Sequence, residues 1–246
     1  MCYQAGIAVL IKSQSDESKR RLSPNIWDHD FIMMRQTAAA FRTLIARYLA
    51  SSRNLTVVDY GCGPAPYRPL FGPETRYLGA DLPDNKEADV VLDATGGLPL
   101  ADGSADVVIS SQVLEHVLDV KQYLGESRRV MRADGLLLLS THGMWIYHPH
   151  PTDVRRWTRW GLKFDIEQCG FTVVDVISCV GPLAYATQLQ LLMVKGLLLK
   201  LGLVGRWLSN LVSIFCTALM WIEDRITPAW VTADNASVYV VAARKV

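Results

Sequence analysis

The chain has 246 residues, of which 50% are hydrophobic and 20% charged, with a formal net charge of +1. That length suits one α/β domain carrying an insertion, and the composition excludes a disordered chain. The near-zero charge implies no basic face, so no nucleic acid is expected as a partner, and five scattered cysteines without a Cys-x-x-Cys pair point to a reducing, cytoplasmic setting rather than a disulfide framework or zinc cage.

The first segment, MCYQAGIAVLI, lacks a basic n-region and a small-residue cleavage site, so no secretory signal is expected. Residues 1–24 read as a flexible lead-in, and 25–246 as a single domain. Apolar residues from Ile26 to Leu49 recur at three- and four-residue steps, which predicts a helix over Pro24–Ala50 with Ser23 as N-cap. Short apolar runs follow at Leu55–Asp59, Tyr77–Asp81, Val90–Leu92, Asp106–Ser110 and Leu136–Ser140. Bounded by Gly, Pro and Asp, they suit parallel strands covered on both faces. Gln112–His116, Val120–Met131 and the stretch from Gly161 to Gly170 read as helical, and Phe171–Val180 and Ser237–Arg244 as two further strands.

The stretch VVDYGCGPAPYRPLF, Val57–Phe71, carries the most chemistry. A strand ends at Asp59, and Gly61 and Gly63 let the backbone turn and approach a ligand without a Cβ in the way. A dinucleotide fingerprint would need a third glycine where Pro66 stands, and the prolines at 64, 66, 69 and 73 argue against a regular helix after the loop. An acid two residues before the first glycine points instead to a ligand with a positive amino group.

Together with YLGADL, VVLDATGGLPLADGSADVVISSQVLEHV and RRVMRADGLLLLST, in that order, this stretch resembles the class I S-adenosylmethionine-dependent methyltransferases. The nearest likeness is to the type 11-like branch, whose first motif reads D-x-G-C-G followed by P-Y-R-x-L-F. The resemblance runs over about Leu55–Val176 and implies S-adenosyl-L-methionine as cofactor, with S-adenosyl-L-homocysteine as product. It places Asp59, Gly61, Cys62 and Gly63 under the methionine part, Asp81 with Leu82 at the ribose, Asp93 with Ala94 at the adenine, and Ser110, Ser111 and Gln112 near the sulfonium. The family's commonest third glycine is Ala65 here. Cys62 reads as a small loop residue rather than a nucleophile. Glu115–His116 reads either as a catalytic or metal pair or as packing at a helix edge.

THGMWIYHPHPTDVRRW leaves the carboxyl end of the fifth strand, which makes it the acceptor-side loop in the resemblance. Its three histidines do not share a helix face, so no metal site is expected. His142 and His148 are the candidate general bases, because imidazole titrates near neutrality. Trp145, Tyr147, His150 and Arg155 are candidate substrate contacts, and Arg156 reads as a structural partner of Asp153.

Residues 182–230 are apolar nearly throughout, with Lys195, Lys200 and Arg206 as the charges before Glu223. Three readings stand: a soluble two-helix cap, a transmembrane hairpin, and two helices that cover the site while their outer faces meet a membrane surface or a second subunit. The third is preferred, since Trp207–Ile222 is short for a span of about 20 residues. The expected architecture is a Rossmann-like seven-stranded sheet, mostly parallel with the last strand antiparallel, and this helical insertion between strands six and seven. The expected reaction is in-line transfer of the sulfonium methyl to an O, N or C nucleophile of a small-molecule or lipid-like acceptor. The competing reading is a non-catalytic cofactor-binding or membrane-associated interaction protein that keeps the fold.

Overall fold

The computed structural model of the protein describes residues 14–149 and 152–246. Among these, seven strands form one sheet: β1 (Thr56–Tyr60), β2 (Arg76–Asp81), β3 (Val90–Val91), β4 (Ala105–Ser111), β5 (Met131–His142), β6 (Phe171–Cys179) and β7 (Val238–Lys245). The order is β3-β2-β1-β4-β5-β7-β6. β1 pairs in parallel with β2 and β4, β2 with β3, and β4 with β5, whereas β7 runs antiparallel between β5 and β6. The expected Rossmann-like sheet is therefore present. Chain order reverses between β1 and β4, which opens a crevice at the carboxyl ends of those strands.

The apolar runs are continuous because alternate residues feed two cores. Val58, Val108, Leu137 and Leu139 pack on one face against α3 (Val120–Val130) and α4 (Arg159–Gln168). Val57, Val107, Ile109, Leu136 and Leu138 pack on the other against Phe41 and Leu44 of α2 (Phe31–Leu49). No α-helix links β1 to β2, in line with the four prolines. A single 3₁₀ turn, Arg68–Leu70, fills that place, with Tyr67 packed 4.6 Å from the Phe41 ring.

Helix α2 begins at Phe31, so Ser23 is not its N-cap and Pro24 not its first residue. Asp28 accepts from Asn25 N at 3.0 Å, and Arg20 binds both Asp28 and Asp30. These side chains hold residues 25–30 in turns that compete with helix. Arg20 belongs to α1 (Gln14–Leu22), so part of the expected flexible lead-in is helical; residues 1–13 lie outside the described residues.

The insertion folds as a hairpin of α5 (Pro182–Leu198) and α6 (Gly202–Ile226), followed by α7 (Ala229–Asp234). Helix α6 is inverted relative to an ordinary surface helix. Its buried positions are Gly205, Ser209, Ser213, Thr217 and Met220, at helical spacing and mostly small. A Cβ on Gly205 would lie 1.8 Å from the Leu198 carbonyl oxygen, so the two helices meet backbone to backbone at the hairpin end. Ser213 Oγ returns a hydrogen bond to Ser209 O at 2.7 Å, and Lys195 turns inward to Trp27 O at 2.7 Å. The large apolar residues Leu203, Val204, Trp207, Leu211 and Phe215 face outward, Trp207 at 75% exposure. No helix among the described residues is long and apolar enough to cross a membrane.

Candidate active site

The glycine loop leaves β1 with Gly61 at φ +78° and Gly63 at φ +50°. Gly61 has no room for a side chain, since a Cβ there would lie 2.6 Å from Val113 Cγ2. Gly63 faces open space and donates its N–H to Asp81 Oδ2 at 2.8 Å. Ala65 also takes a left-handed conformation, φ +47°, so alanine keeps the bend that a third glycine would make.

Asp81 ends β2 with both carboxylate oxygens oriented. Oδ2 also accepts from Asn85 Nδ2 at 2.9 Å, and Oδ1 accepts from Leu82 N at 2.8 Å. Leu82 stands exposed on the rim beside it. Asp93 and Ala94 are exposed just beyond β3. Asp93 Oδ1 accepts from Thr95 Oγ1 at 2.6 Å, Thr95 N at 2.8 Å and Gly97 N at 2.9 Å, and these bonds hold its carboxyl below the usual range.

Three candidates lie deeper than the rim. Asp59 is 2% exposed and accepts from Tyr77 Oη at 2.5 Å, supporting the loop from beneath. Burial pushes its carboxyl up to about 7. Ser110 is buried with its Oγ 2.8 Å from Tyr123 Oη, so it is a core group. Cys62 is buried against Gly79, and burial raises its thiol pKa, which disfavours a nucleophilic role. Gln112, by contrast, takes φ +57° and donates Nε2 to Ser140 Oγ at 3.1 Å, while its buried Oε1 has no partner among the described residues.

At the neighbouring strand ends a second cluster forms. Glu115, in the 3₁₀ turn Leu114–His116 after β4, is fully buried, and its Oε2 accepts from Thr141 Oγ1 at 2.8 Å. Its Oε1 lies 3.5 Å from His142 Nε2, and among the described residues neither that oxygen nor His142 Nδ1 has a hydrogen-bond partner. Trp145 stacks on His142 with ring centroids 5.3 Å apart, and His148 meets His142 edge-on at 5.2 Å. Burial pushes both imidazoles down, His142 furthest, and pushes the Glu115 carboxyl up. The shift favours the neutral imidazole, whose one unprotonated nitrogen carries a lone pair.

The loop itself is tied down by its arginines. Arg156 binds Asp153 at 2.5 and 2.8 Å and reaches Ile146 O at 2.8 Å, the structural pairing expected for it. Arg155, a candidate substrate contact, donates to the carbonyls of Val117 and, at 2.9 Å, Leu118. Trp145 is half-buried, 6.0 Å from the Tyr185 ring of α5, and Tyr147 is 74% exposed. His150 lies outside the described residues. Sequence reasoning reads Glu115 and His116 either as a chemical pair or as packing at a helix edge; in the structure Glu115 contacts Thr141 and His142. Tyr185 had no signal at all, because the insertion that carries it follows the motif region.

A family model described as a methyltransferase domain matches residues 33–175, more than half of the chain. A Mycolicibacterium smegmatis protein named as a probable S-adenosylmethionine-dependent methyltransferase is 36% identical over 137 residues, 49% of this chain and 53% of its own length. An S-adenosylmethionine-dependent methyltransferase from Mesorhizobium loti has a similar fold, with a TM-score of 0.52 at 15% identity, covering 89% of this chain and 98% of that one. Phosphoethanolamine N-methyltransferase 2 of Haemonchus contortus, solved in complex with S-adenosyl-L-methionine, gives 0.50 at 17% identity over 96% of this chain and 60% of its own. The match spans about half or less of the curated relatives' own length, 53%, 42% and 31% for three of them.

Proposed function

This chain belongs to the methyltransferase-domain family matched by its residues 33–175, and we propose that it binds S-adenosyl-L-methionine and transfers the sulfonium methyl to an O, N or C nucleophile of a small-molecule or lipid-like acceptor. The observation that carries the reading is one continuous rim. An open glycine cradle and a doubly anchored acid lie at the ends of β1 and β2, beside the buried His142 and the partly exposed His148 at and beyond the end of β5.

The residues present fit the cofactor. The open space at Gly63 leaves room for a ligand against the backbone, and the unpartnered Gln112 Oε1 offers a carbonyl dipole to a positive group. In this assignment Asp81 accepts from the ribose hydroxyls beside Leu82, Asp93 and Ala94 meet the adenine, and Gly61, Cys62 and Gly63 hold the methionine part, with Asp59 as the charge beneath. When bound, the cofactor supplies a methyl group already activated by its sulfonium, so an in-line nucleophile suffices. The protein's part is to align the two reactants and exclude water. Trp145, Tyr147 and Tyr185 shape the acceptor side. Of the two candidate bases, His148 is the more accessible, its side chain 33% exposed against 4% for His142.

Calorimetric titration of the purified chain with S-adenosyl-L-methionine should give saturable one-to-one binding. Asp81→Ala should weaken it roughly tenfold or more, through loss of charge-assisted hydrogen bonds worth about 1.5–3 kcal/mol. No binding at millimolar cofactor, or unchanged affinity in a folded variant, would refute the assignment. Release of S-adenosyl-L-homocysteine with an acceptor mixture then separates an enzyme from a non-catalytic binder.

The inverted α6 extends the reading to location. Its outward Leu, Val, Trp and Phe residues, with Lys200 and Arg206 near the hairpin end and no acid from 182 to 222, suit a lipid surface bearing anionic headgroups. A homodimer through 182–230 is the other covering for this face. Flotation with anionic vesicles should carry the chain upward; recovery in the dense fraction as a dimer would support the dimer instead.

A further inference from the structure

We propose that Glu115, His142 and His148 form a binding site for one divalent first-row transition-metal ion of the zinc or manganese class. The three come from separate elements, the turn after β4, the last residue of β5 and the loop beyond it. One ligand atom of each lies within 4.8 Å of the others. Chance packing of three such groups is disfavoured by what it leaves unmatched. Glu115 is 0% exposed, yet its Oε1 has no hydrogen-bond partner among the described residues. A buried carboxylate flanked by two imidazoles, with half its acceptors unused, is costly until a proton or a metal ion joins it, and the imidazoles make it a place for the ion.

The geometry needs little adjustment. Zinc bonds of about 2.0–2.2 Å set neighbouring ligand atoms roughly 3–3.5 Å apart in a tetrahedron. His142 Nε2 and Glu115 Oε1 already stand 3.5 Å apart. The remaining ligand, His148, sits in the loop, with its ligand atom within 4.8 Å of the other two. For Glu115 and His148 the supporting groups match what ligating residues use to fix their orientation. Thr141 Oγ1 donates to Glu115 Oε2 at 2.8 Å. His148 Nδ1 faces Ile146 O at 3.2 Å and Asp153 Oδ2 at 3.4 Å, leaving its Nε2 for the ion. Asp153 is clamped in turn by Arg156.

Two imidazoles and one carboxylate select against magnesium and calcium, which prefer all-oxygen sites. Three protein ligands also leave a coordination position open. On the acceptor side of the rim, that position would take an oxygen of the acceptor, so the site favours a hydroxyl, phenol or carboxylate over an amine. This last step rests on the methyltransferase reading, whereas the existence of the site does not.

The test is cobalt(II) titration of the full chain after chelator treatment, followed by visible absorption and calorimetry. The expected result is one equivalent bound with ligand-field bands of a nitrogen- and oxygen-ligated ion. His148→Ala, chosen because that side chain is partly exposed and outside the core, and Glu115→Gln should each weaken binding at least tenfold. Absence of stoichiometric binding in the unsubstituted chain, or a spectrum and affinity unchanged in His148→Ala, overturns the proposal. S-adenosyl-L-methionine titration of the same chelator-treated sample keeps the two readings apart. Cofactor binding without cobalt binding sinks only the metal site, and cobalt binding without cofactor binding supports the metal site while sinking the methyltransferase assignment.

Discussion

Gly61→Ala is expected to destabilise the fold by roughly 2–5 kcal/mol and to abolish cofactor binding, whereas Gly63→Ala should abolish binding while losing only about 1–2 kcal/mol. Both positions are left-handed, at φ +78° and +50°, so an L side chain meets the same backbone penalty at each. They differ in their surroundings. A Cβ at 61 would sit 2.6 and 2.9 Å from the two methyls of Val113, which is branched at its own Cβ and packed against the core. Relief would require the segment after β4 to shift, and that segment carries Gln112 and Glu115. A Cβ at 63 meets nothing within 4 Å; it would fill the cradle itself. Urea unfolding of both variants, paired with cofactor titration, checks the contrast. Equal stability losses would show that the packing at Val113 does not restrict the loop, and retained binding in Gly63→Ala would remove the cradle from the cofactor assignment.

Asp59→Asn should make the protein more stable at pH 8 and a poorer cofactor binder. In the native state burial raises the Asp59 carboxyl from an ordinary 3.8 to about 7, with the Tyr77 hydrogen bond opposing the rise. A folded pKa above the unfolded one means the native state binds the extra proton between those values. Its contribution is therefore most favourable below pH 4, falls as pH rises through 4 to 7, and levels off above. At about 1.4 kcal/mol per pH unit, the ceiling on this loss is on the order of 4 kcal/mol. Asparagine keeps an oxygen to accept from Tyr77 Oη and carries no charge to desolvate. The stability difference between variant and unsubstituted chain should grow in the variant's favour from pH 5 to 7 and then stay flat. Taking that difference cancels the other titrating groups. A difference independent of pH would mean Asp59 is solvated or paired more strongly than its contacts indicate. The weaker binding follows if the carboxylate answers the cofactor's amino group, the place the family resemblance gives it.

Some features were legible because burial patterns are local. LLLL at 136–139 reads as a strand covered on both faces, and Leu136 and Leu138 do pack opposite Leu137 and Leu139. Prolines at 64, 66, 69 and 73 forbid a regular helix, and a 3₁₀ turn stands there. Where side chains compete with the backbone, the reading slipped. The helix from Pro24 starts only at Phe31, since Asp28 and Asp30 answer Arg20 from a preceding helix that no local pattern pairs with them.

The candidate site divides in the same way. The positions of Gly61, Gly63, Asp81 and Asp93 at strand ends were legible because strands and their loops follow each other in a set order, and a parallel sheet brings those ends to one rim. Ser110 lies one residue too early: with a period of two, a single position decides between rim and core, and its hydroxyl faces Tyr123. For the insertion, sequence alone determined that 182–230 is helical and unusually apolar. Only the packed hairpin decided that small residues of α6 face inward and the apolar ones outward, because close backbone approach at Gly205 outweighs burial of Leu and Trp. Sequence alone likewise determined the sheet and the place of the loop after β5 on its rim. The tertiary structure decided that Glu115, His142 and His148 converge, because their meeting depends on strand register and on the path of a loop stapled by Arg156, neither of which residue spacing encodes.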